Sequence, residues 1–465
     1  MTVNMRWKRI LKHFIMAALI PVFMNIPALV YICSTRILSE ERIELWQAVG
    51  APSGFVVIFA FWLWVNILPY WDRNHAGIRT LVMRGGCTLS LYALYGFLFE
   101  LVFAVVTYPV IGSGSRMIPP AVLAANTVYA VVISFILLWN GILRMFLLSG
   151  RLRLGTRLLM ILAMWIPLLN ILVLLYAVRV VMAEYDFACY KESVRLVRRE
   201  SDLCKTRYPL VMVHGVGFRD LKYFNYWGRI PRELTRYGAC VYYGNQEAMG
   251  TIAHNAGDIR KKILEVIDET GCEKVNIIAH SKGGLDSRYA ISKLGMGDRV
   301  ASLTTVCTPH HGCRFVDYAC RLPEGLYRFV AGCFDRSFRR FGDRNPDFYT
   351  ATHQFSTASS RQFNDEIKDV ESVYYQSYAS VMRNLLSDLL LWLPYCLIYP
   401  LEGQNDGLVS VESARWGEFR KVFTSERQRG ISHGDMIDLK REDYKGFDVV
   451  ECYVQIVSEL KAKGF

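Results

Sequence analysis

The sequence of 465 residues contains no internal repeat, no low-complexity tract and no Cys-x-x-Cys pair. Without a repeated unit the repeat architectures are excluded, and without paired cysteines the spacing predicts no zinc site. Acidic residues are also scarce in the first part of the chain. Residues 1–204 hold 19 lysines and arginines against 10 acidic residues, so they carry +9 of the total net charge of +12.

The basic excess therefore lies in the more apolar part of the chain. Residues 205–465 are nearly balanced, with 35 basic and 32 acidic residues. This distribution is typical of membrane loops that face anionic lipid, and it argues against nucleic acid as a partner. The mean hydropathy of +0.19 is high for a soluble enzyme.

Five long apolar runs precede residue 185, and none shows the polar stripe of a soluble amphipathic helix. Each can cover about 20 residues, the length that crosses about 30 Å of hydrocarbon. The runs lie near Ile10–Cys33, Ala48–Tyr70, Leu89–Ile111, Pro120–Leu143 and Leu158–Met182. We therefore predict an all-α transmembrane helical domain of about five spans over residues 1–185, followed by a basic linker over residues 186–204.

Basic residues alternate in number between the ends of these runs. Four precede the first run and four follow the fourth, whereas the third connection holds only Arg116. The positive-inside rule then predicts a cytoplasmic N-terminus and, after five crossings, a C-terminal domain on the extracytoplasmic side. The basic segment from Lys191 to Arg207 argues against this orientation, although large translocated domains follow the rule less closely.

One acidic residue, Glu100, lies inside the third run. An ionisable group at that depth is a candidate functional residue, because burying it in lipid is costly. No second acidic residue lies at the same depth to build a proton relay. The sequence therefore favours a protonated or hydrogen-bonded carboxyl that packs between helices.

The C-terminal part of the chain alternates apolar strands with helical patterns. We predict strands over Tyr208–His214, Ala239–Tyr243, Lys274–Ala279, Val300–Cys307 and Val373–Ala379, and helices over Asp258–Glu269, Leu285–Leu294 and Phe447–Ala462. Apolar strands that alternate with helices predict a parallel sheet covered on both faces. Residues 205–465 thus read as one α/β domain.

A polar turn, His280-Ser281-Lys282-Gly283-Gly284, connects one of these strands to a helix. This is the pattern of a nucleophile elbow, with Ala279 in place of the usual leading glycine. Small residues flank the serine because the strand and helix backbones pass close by. The alternative is an ordinary turn that carries a surface serine.

A serine nucleophile needs a histidine base and a carboxylate that orients it, in the chain order Ser, acid, His. His433 in ISHGDM follows every predicted strand, whereas His353 lies in a polar stretch that is typical of solvated loops. Asp406 in EGQNDGLVS stands in a tight turn between Ser281 and His433. The alternatives for the acid are Asp388 and Asp365, which both lie in helical patterns.

The oxyanion of an acyl intermediate needs two backbone N–H donors. Lys282, directly after the nucleophile, supplies one candidate. Val216 supplies the other, because the sequence His214-Gly215-Val216-Gly217 follows the strand YPLVMV. We expect His214 itself to orient this loop by hydrogen bonds.

At this point the sequence resembles the bacterial triacylglycerol lipases of the α/β-hydrolase superfamily. The resemblance covers about residues 205–465 and is carried by VMVHGVGF, YFNYWGRIPRELTRYGACVYY, NIIAHSKGGLDSRYA, TVCTPHHG, GQNDGLVSVESARWG and ISHGDM. It implies an α/β-hydrolase fold with Ser281, Asp406 and His433 as triad and the amides of Val216 and Lys282 as oxyanion hole. The membrane half is outside the resemblance.

The resemblance also implies a mobile lid over an acyl pocket, for which the candidate is residues 313–347. A second apolar segment, Leu385–Leu401, either lines the acyl site or dips into a bilayer, being short for a full span. Related lipases bind calcium near the histidine loop, and Asp435 matches one ligand position. Leu439 stands where a further oxygen would be useful, so calcium has little support, and no cofactor is required.

The sequence thus predicts a membrane-anchored serine ester hydrolase that acts on fatty-acyl esters of lipids. A phospholipase or an acyltransferase on the same triad is a second interpretation, since the acceptor cannot be read from the residues. A third is a membrane sensor or binding protein whose hydrolase-like domain is not catalytic. The expected partners are a lipid ester substrate and the bilayer.

Overall fold

The computed structural model describes residues 19–37, 50–71, 76–112, 118–198, 201–217, 225–340, 342–425, 429–442 and 446–465, together with Ile15. The chain divides into two compact units, Met1–Val197 and Arg198–Phe465. The basic residues at the extreme N-terminus, and the first half of the first predicted run, lie outside the described residues.

The first unit is helical throughout its described part. Its helices are α1 (Ile26–Ile32, continued as a π turn over Cys33–Ile37), α2 (Ala51–Ile67), α3 (Ile78–Gly112), α4 (Pro120–Leu148), α5 (Leu154–Ala163) and α6 (Leu169–Arg198). Among the described residues, two helical stretches are long and apolar enough to cross a membrane, Ile78–Val106 and Pro120–Leu148.

The predicted fifth run, Leu158–Met182, is not one continuous helix. The structure divides this run between α5 and α6. Pro167 and Leu168 lie at the break, and Leu168 has a left-handed φ of 63°. A proline removes a helical hydrogen bond and a left-handed residue reverses the helical turn, so the two together end a helix that composition alone would continue.

Helices α3 and α4 pack closely because glycine is present on both sides of their contact. A Cβ atom placed on Gly86 would lie 2.8 Å from the carbonyl oxygen of Gly141. Small residues let helix backbones approach in this way, as is common between helices in lipid. Near the other end of α3, the side-chain amide of Asn25 donates a hydrogen bond to Glu100 at 2.5 Å. The expectation of a hydrogen-bonded carboxyl is therefore confirmed.

The second unit is built on a six-stranded parallel sheet, in agreement with the predicted α/β fold. The strands are β1 (Leu210–Val213), β2 (Val241–Tyr243), β3 (Val275–His280), β4 (Val300–Val306), β5 (Tyr374–Ser380) and β6 (Glu418–Phe423). Their spatial order is β2-β1-β3-β4-β5-β6, and all pairs are parallel. Each of the five predicted strands corresponds to an observed one, and β6 was missed.

Helices cover both faces of this sheet. They are α7 (Ile230–Arg236), α8 (Ile252–Thr270), α9 (Lys282–Ser292), α10 (Arg314–Ala319), α11 (Glu324–Arg340), α12 (Phe348–His353), α13 (Thr357–Glu366), α14 (Trp392–Glu402) and α15 (Val449–Ala462), with short 3-10 turns at Gly297–Arg299, Leu385–Ser387 and Asp435–Ile437. Successive side chains of a strand point to opposite faces. Met212 and Ile278 therefore join the core beneath α15, whereas Val211 and Ile277 join the core beneath α8 and α9.

The strand order positions the site. The chain moves from β1 to β2 on one side, and then returns past β1 to add β3 on the other side. The carboxyl ends of β1 and β3 therefore form a topological switch point, where open α/β sheets leave a crevice for ligands. The His214 loop and Ser281 both begin at this point.

Candidate active site

Ser281 occupies the turn between β3 and α9 in strained backbone geometry. Its φ is 53° and its ψ is −130°, a conformation that residues with a Cβ rarely adopt. Such strain costs about 1–3 kcal/mol and persists only when the surroundings impose it. Part of that constraint comes from the sheet, since the Ser281 N–H donates to the carbonyl of Val306 on β4 at 3.0 Å.

The glycines around the serine are required by space. A Cβ on Gly283 would lie 2.4 Å from the carbonyl oxygen of His214, and one on Gly284 would lie 2.3 Å from Oγ1 of Thr308. On the facing loop, a Cβ on Gly215 would lie 2.8 Å from the Cβ of Ser281. The loop after β1 therefore passes directly beside the serine, as the nucleophile-elbow prediction requires.

His433 and Asp406 are paired in the loops beyond the sheet. Nδ1 of His433 lies 2.8 Å from Oδ2 of Asp406, and the two side chains are 9% and 1% exposed. The backbone holds the same pair, because the His433 N–H donates to the Asp406 carbonyl at 2.9 Å. The second carboxylate oxygen of Asp406 accepts the N–H groups of Leu408 and Val409 at 3.0 and 2.8 Å. Asp406 is thus fixed from both sides.

The alternative acids and the alternative histidine lie elsewhere. Asp388 accepts hydrogen bonds from Ser432 and Lys440, both at 2.8 Å, and among the described residues it forms no hydrogen bond or ion pair with His433. Asp365 is 84% exposed beside Lys368. The ring of His353 bonds its own helix at Tyr349 O, 2.7 Å away. Of the residues considered, only Asp406 contacts His433 through its carboxylate.

The ring of His433 packs against the ring of His280, the residue that precedes the nucleophile. The rings of His280 and His433 have centroids 4.4 Å apart, and His280 directly precedes the serine. Within the described part of the chain, no hydrogen bond joins the Ser281 hydroxyl to His433. Such bonds are often long in unliganded enzymes and tighten when substrate binds.

The candidate oxyanion donors lie on the two sides of the switch point. Lys282 is the first residue of α9, where a backbone N–H has no partner within its own helix. Val216 lies on the loop that passes the serine, and the next amide, Gly217 N–H, donates to Ala248 at 3.2 Å. The ring nitrogens of His214 lie 2.7 and 3.0 Å from the carbonyl oxygens of Gly215 and Gln246. His214 therefore contacts the loop backbone, as expected of an orienting residue.

The side chain of Lys282 is buried and forms an ion pair, which the sequence did not predict. Its ammonium group donates to Asp286 Oδ1 at 2.5 Å, and both side chains are 1% exposed. Burial raises the pKa of Asp286 to about 6, and burial lowers the pKa of Lys282. The other Asp286 oxygen accepts from Asn255 at 3.2 Å, and the same amide group donates to Glu247 O at 2.9 Å. The elbow is thereby bonded to the loop after β2.

Sequence reasoning missed the residues beneath His433. The hydroxyl of Tyr226 lies 2.8 Å from Nδ1 of His280. Cys307 lies at the end of β4, and potential ligand atoms of His280, Cys307 and His433 all lie within 4.8 Å of one another. Burial, followed by the charge of His433, holds the pKa of His280 well below its usual range, so this ring is neutral. The motif YFNYWGR carried the only signal for Tyr226.

The residues near Asp435 do not fit a calcium ion. Arg429 Nη2 lies 3.0 and 3.2 Å from the two Asp435 oxygens, and the Ser432 N–H donates to Oδ2 at 3.0 Å. A guanidinium already neutralises this carboxylate, and Leu439 offers no oxygen. Calcium needs six or more oxygen ligands, so no step of the chemistry is derived through it.

The two apolar segments near the site expose hydrophobic side chains. In the lid candidate, α11 buries Tyr327 and Ala331 but leaves Phe329 71% exposed. The Leu385–Leu401 segment forms a 3-10 turn and then α14, whose 11 residues span only about 16 Å. That helix is too short to cross a bilayer.

A strained serine at the switch point of a parallel α/β sheet, next to a histidine–aspartate pair, defines an α/β hydrolase. The family model described as the alpha/beta hydrolase fold matches residues 208–395. A triacylglycerol lipase of Vibrio cholerae is 38% identical over 295 residues, which are 56% of this chain and 89% of that lipase. The chain therefore belongs to the lipase family of α/β hydrolases, and it is an ester hydrolase.

Two further proteins are similar to this chain. Triacylglycerol lipase 2 of Saccharomyces cerevisiae is 27% identical over 277 residues, 53% of this chain and 78% of that protein. The crystal structure of a mature lipase of Bacillus licheniformis aligns at 20% identity with a TM-score of 0.39, covering 50% of this chain and 87% of that one. In these three comparisons the matched part is about half of this chain.

Proposed function

We propose that the protein hydrolyses fatty-acyl esters of lipids at a membrane, with Ser281 as nucleophile, His433 as base and Asp406 as the orienting acid. The observation that carries this proposal is the 2.8 Å pairing of His433 Nδ1 with Asp406 beside the strained serine. That pairing leaves Nε2 of His433 as the nitrogen that exchanges protons, as in Ser-His-Asp hydrolases.

In this mechanism the Ser281 oxygen attacks the acyl carbonyl while its proton passes to His433 Nε2. The tetrahedral oxyanion then collapses, the ester C–O bond breaks, and the departing alcohol takes the proton from His433. A water molecule repeats the attack on the acyl-enzyme, again losing a proton to His433, and the fatty acid leaves as the serine is restored. Asp406 stays ionised and stabilises the imidazolium in both halves.

The oxyanion would accept hydrogen bonds from the Val216 and Lys282 amides. Both lie beside Ser281, one on the loop after β1 and the other at the N-terminus of α9, where the helix dipole favours negative charge. Removing one such donor typically costs about 10²–10³-fold in kcat. The exposed apolar side chains of residues 313–347 and 385–401 support a lipid rather than a small polar ester as substrate.

The first unit supports membrane anchoring. Beyond the two span-length helices, many of its large apolar side chains face outward, among them Phe55 at 68% and Trp165 at 82% exposure. Soluble proteins rarely expose so much apolar surface.

The distribution of arginines favours a cytoplasmic N-terminus and an extracytoplasmic hydrolase unit. An impermeant maleimide tests this orientation, because Cys240, Cys333 and Cys396 of the hydrolase unit are exposed thiols. Labelling of these cysteines in intact cells is expected, and labelling only after lysis would contradict the orientation.

A fluorescent fluorophosphonate tests the nucleophile directly. Purified full-length protein should be labelled, and Ser281→Ala should abolish labelling without lowering the melting temperature. Ser287→Ala is the matched control, since that buried hydroxyl lies six residues further along the chain on α9 and donates to Gly283 O at 2.7 Å. Equal labelling of the wild type and Ser281→Ala would overturn the assignment. Transfer of the acyl group to an added alcohol in place of water would instead indicate an acyltransferase on the same triad.

A further inference from the structure

Three arginine side chains of the helical unit converge on one turn. Arg79, in the first turn of α3, donates through Nη1 to Leu148 O at the end of α4. Arg157, on α5, donates through Nη2 to Ser149 O at 2.8 Å, and Arg151 donates through Nη1 to Ala183 O on α6 at 3.3 Å. The cluster lies where α4 ends and α5 begins, against the middle of α6.

One carboxylate lies in this cluster, and most of its bonds go to the backbone. Glu184 accepts the Ser149 hydroxyl at 2.6 Å and the N–H groups of Gly150 and Arg151, both at 3.1 Å. Among the described residues it forms one ion pair, with Arg79, at 3.4 Å. Across the described ranges, the guanidinium groups of Arg151 and Arg157 form no ion pair with a carboxylate. The cluster therefore carries two positive charges more than it neutralises.

The guanidinium groups of Arg151 and Arg157 are also incompletely bonded. Nε and Nη2 of Arg151 and Nε of Arg157 are buried without a hydrogen-bond partner. Their planes lie over aromatic rings, with the guanidinium carbons 4.7 Å from the Phe187 centroid and 5.5 Å from the Phe146 centroid. A buried donor without a partner costs about 1–3 kcal/mol, and more when it is charged.

We propose that this cluster binds a phosphate oxyanion, and that in the membrane the phosphate belongs to an anionic phospholipid headgroup. Arginine presents planar N–H donors that match phosphate oxygens, and the three unpaired donors are of this kind. The site lies at the end of α4, one of the two helices of span length, which is the depth at which headgroups lie. The lipid source rests on the proposed membrane anchoring, whereas the phosphate chemistry does not.

A purely structural role accounts for only part of the cluster. Arginines near a helix C-terminus stabilise its last carbonyl groups, and the bonds to Leu148 O and Ser149 O serve this role. Each of these two bonds uses only one of the three nitrogens of its guanidinium group. A capping role alone therefore leaves the Nε atoms and the excess charge unexplained.

The test compares lipids on the full-length protein in nanodiscs of phosphatidylcholine doped with phosphatidylglycerol. Native mass spectrometry should show phosphatidylglycerol retained by the wild type. The double variant Arg151→Gln/Arg157→Gln should bind it about 30-fold more weakly, from about fivefold for each of the two lost charges. The control is Arg153→Gln, which removes one positive charge from an exposed residue of the same connection and should change retention less than twofold.

The remaining arms separate the possible outcomes. Arg151→Lys/Arg157→Lys keeps the charge and should recover part of the binding, which guards against a folding defect in the glutamine variant. Inorganic phosphate should displace the lipid only at millimolar concentration. If phosphate binds as tightly as the lipid, the lipid source is overturned. If Arg153→Gln weakens retention as much as the double variant, the site is overturned and a diffuse basic surface remains. Ester hydrolysis by Ser281 is not measured in any arm, so the outcome is independent of the proposed triad.

Discussion

The ammonium group of Lys282 lies 2.5 Å from the carboxylate of Asp286, and water reaches neither. This ion pair lies inside the helix that begins at the nucleophile, one turn from it. Lys282 thus has two separable features, a backbone amide that faces the proposed oxyanion and a side chain buried in the fold. Variants of the side chain leave the amide in place, so the two can be examined independently.

Replacing Lys282 by methionine should destabilise the protein by about 3–5 kcal/mol, because it leaves the Asp286 carboxylate buried without its cation. The double variant Lys282→Met/Asp286→Leu removes both charges and should regain most of that loss. Thermal unfolding measures both. Below the melting temperature, kcat of the double variant should stay within about tenfold of wild type, since the amide is retained. A larger loss in a folded double variant would show that the ammonium group itself acts on the reaction.

The stability of the protein should depend on pH through Asp286. Burial raises its pKa to about 6 from 3.8, so the folded state binds this proton more tightly than the unfolded state. The contribution of the carboxyl is then fully present below pH 3.8 and is lost as pH rises through about 6. Relative to Asp286→Asn, which does not titrate, the wild-type melting temperature should fall between pH 4 and pH 7. If the melting temperature of the wild type instead rises relative to that of Asp286→Asn as the pH increases, then Lys282 lowers the Asp286 pKa.

The three acids that the sequence left open can be separated by amide substitution. Asp406→Asn should lower kcat by about 10³–10⁴-fold with little change in KM, because the ring of His433 loses its orienting acceptor. Asp365→Asn is the surface control and should have no effect. Asp388→Asn should lower the melting temperature through its lost bonds to Ser432 and Lys440, with kcat within about tenfold. Steady-state kinetics on a soluble ester, beside thermal unfolding, distinguishes these results.

Glycine 283 offers a steric test of the elbow. In Gly283→Ala the new Cβ would lie 2.4 Å from His214 O and 2.7 Å from Val213 O, and neither backbone atom can move freely. We expect destabilisation of about 1–3 kcal/mol and a loss of about 10²-fold in kcat, because the segments that carry the two proposed oxyanion donors are forced apart. Gly257→Ala on α8 is the matched control. It meets no atom within 4 Å, and should stabilise the protein by about 0.5–1 kcal/mol with unchanged kcat.

The fold of the hydrolase unit was largely predictable because its strands are buried on both faces. Strands β1, β3 and β4 are buried along their whole length, whereas β6 reads Glu-Phe-Arg-Lys-Val-Phe and lies at the sheet edge with three of its six residues exposed. An edge strand needs no apolar run, so composition gave no signal for it.

Composition also gave no signal for the break in the fifth apolar run. Hydropathy averages over a window, and a single left-handed residue after a proline does not change the average.

The candidate site was predictable where chain order constrains it and unpredictable where burial overrides residue type. The order Ser, acid, His led to Asp406 and His433 across 27 residues. Lysine and aspartate are almost never fully buried unless paired, so Lys282 and Asp286 read as solvated helix residues. The contact of Tyr226 with His280 joins residues 54 apart, for which local spacing carries no information.

The apolar surface around α14 leads to a prediction that separates substrate access from chemistry. Leu389 and Leu390 are 73% and 79% exposed, and the segment Leu385–Leu401 holds a single acidic residue, Asp388. If this surface contacts lipid, Leu389→Asp/Leu390→Asp should lower hydrolysis of long-chain esters in vesicles by at least about tenfold, because charge is costly in the interface. Hydrolysis of a water-soluble short-chain ester should be unchanged, since both side chains are exposed at the surface. Leu264→Asp is the control, an exposed leucine on α8 at 41% exposure. If the hydrolysis of both substrates falls in parallel, the segment Leu385–Leu401 lines the acyl site. The measurement thus distinguishes a role in the acyl site from contact with the bilayer.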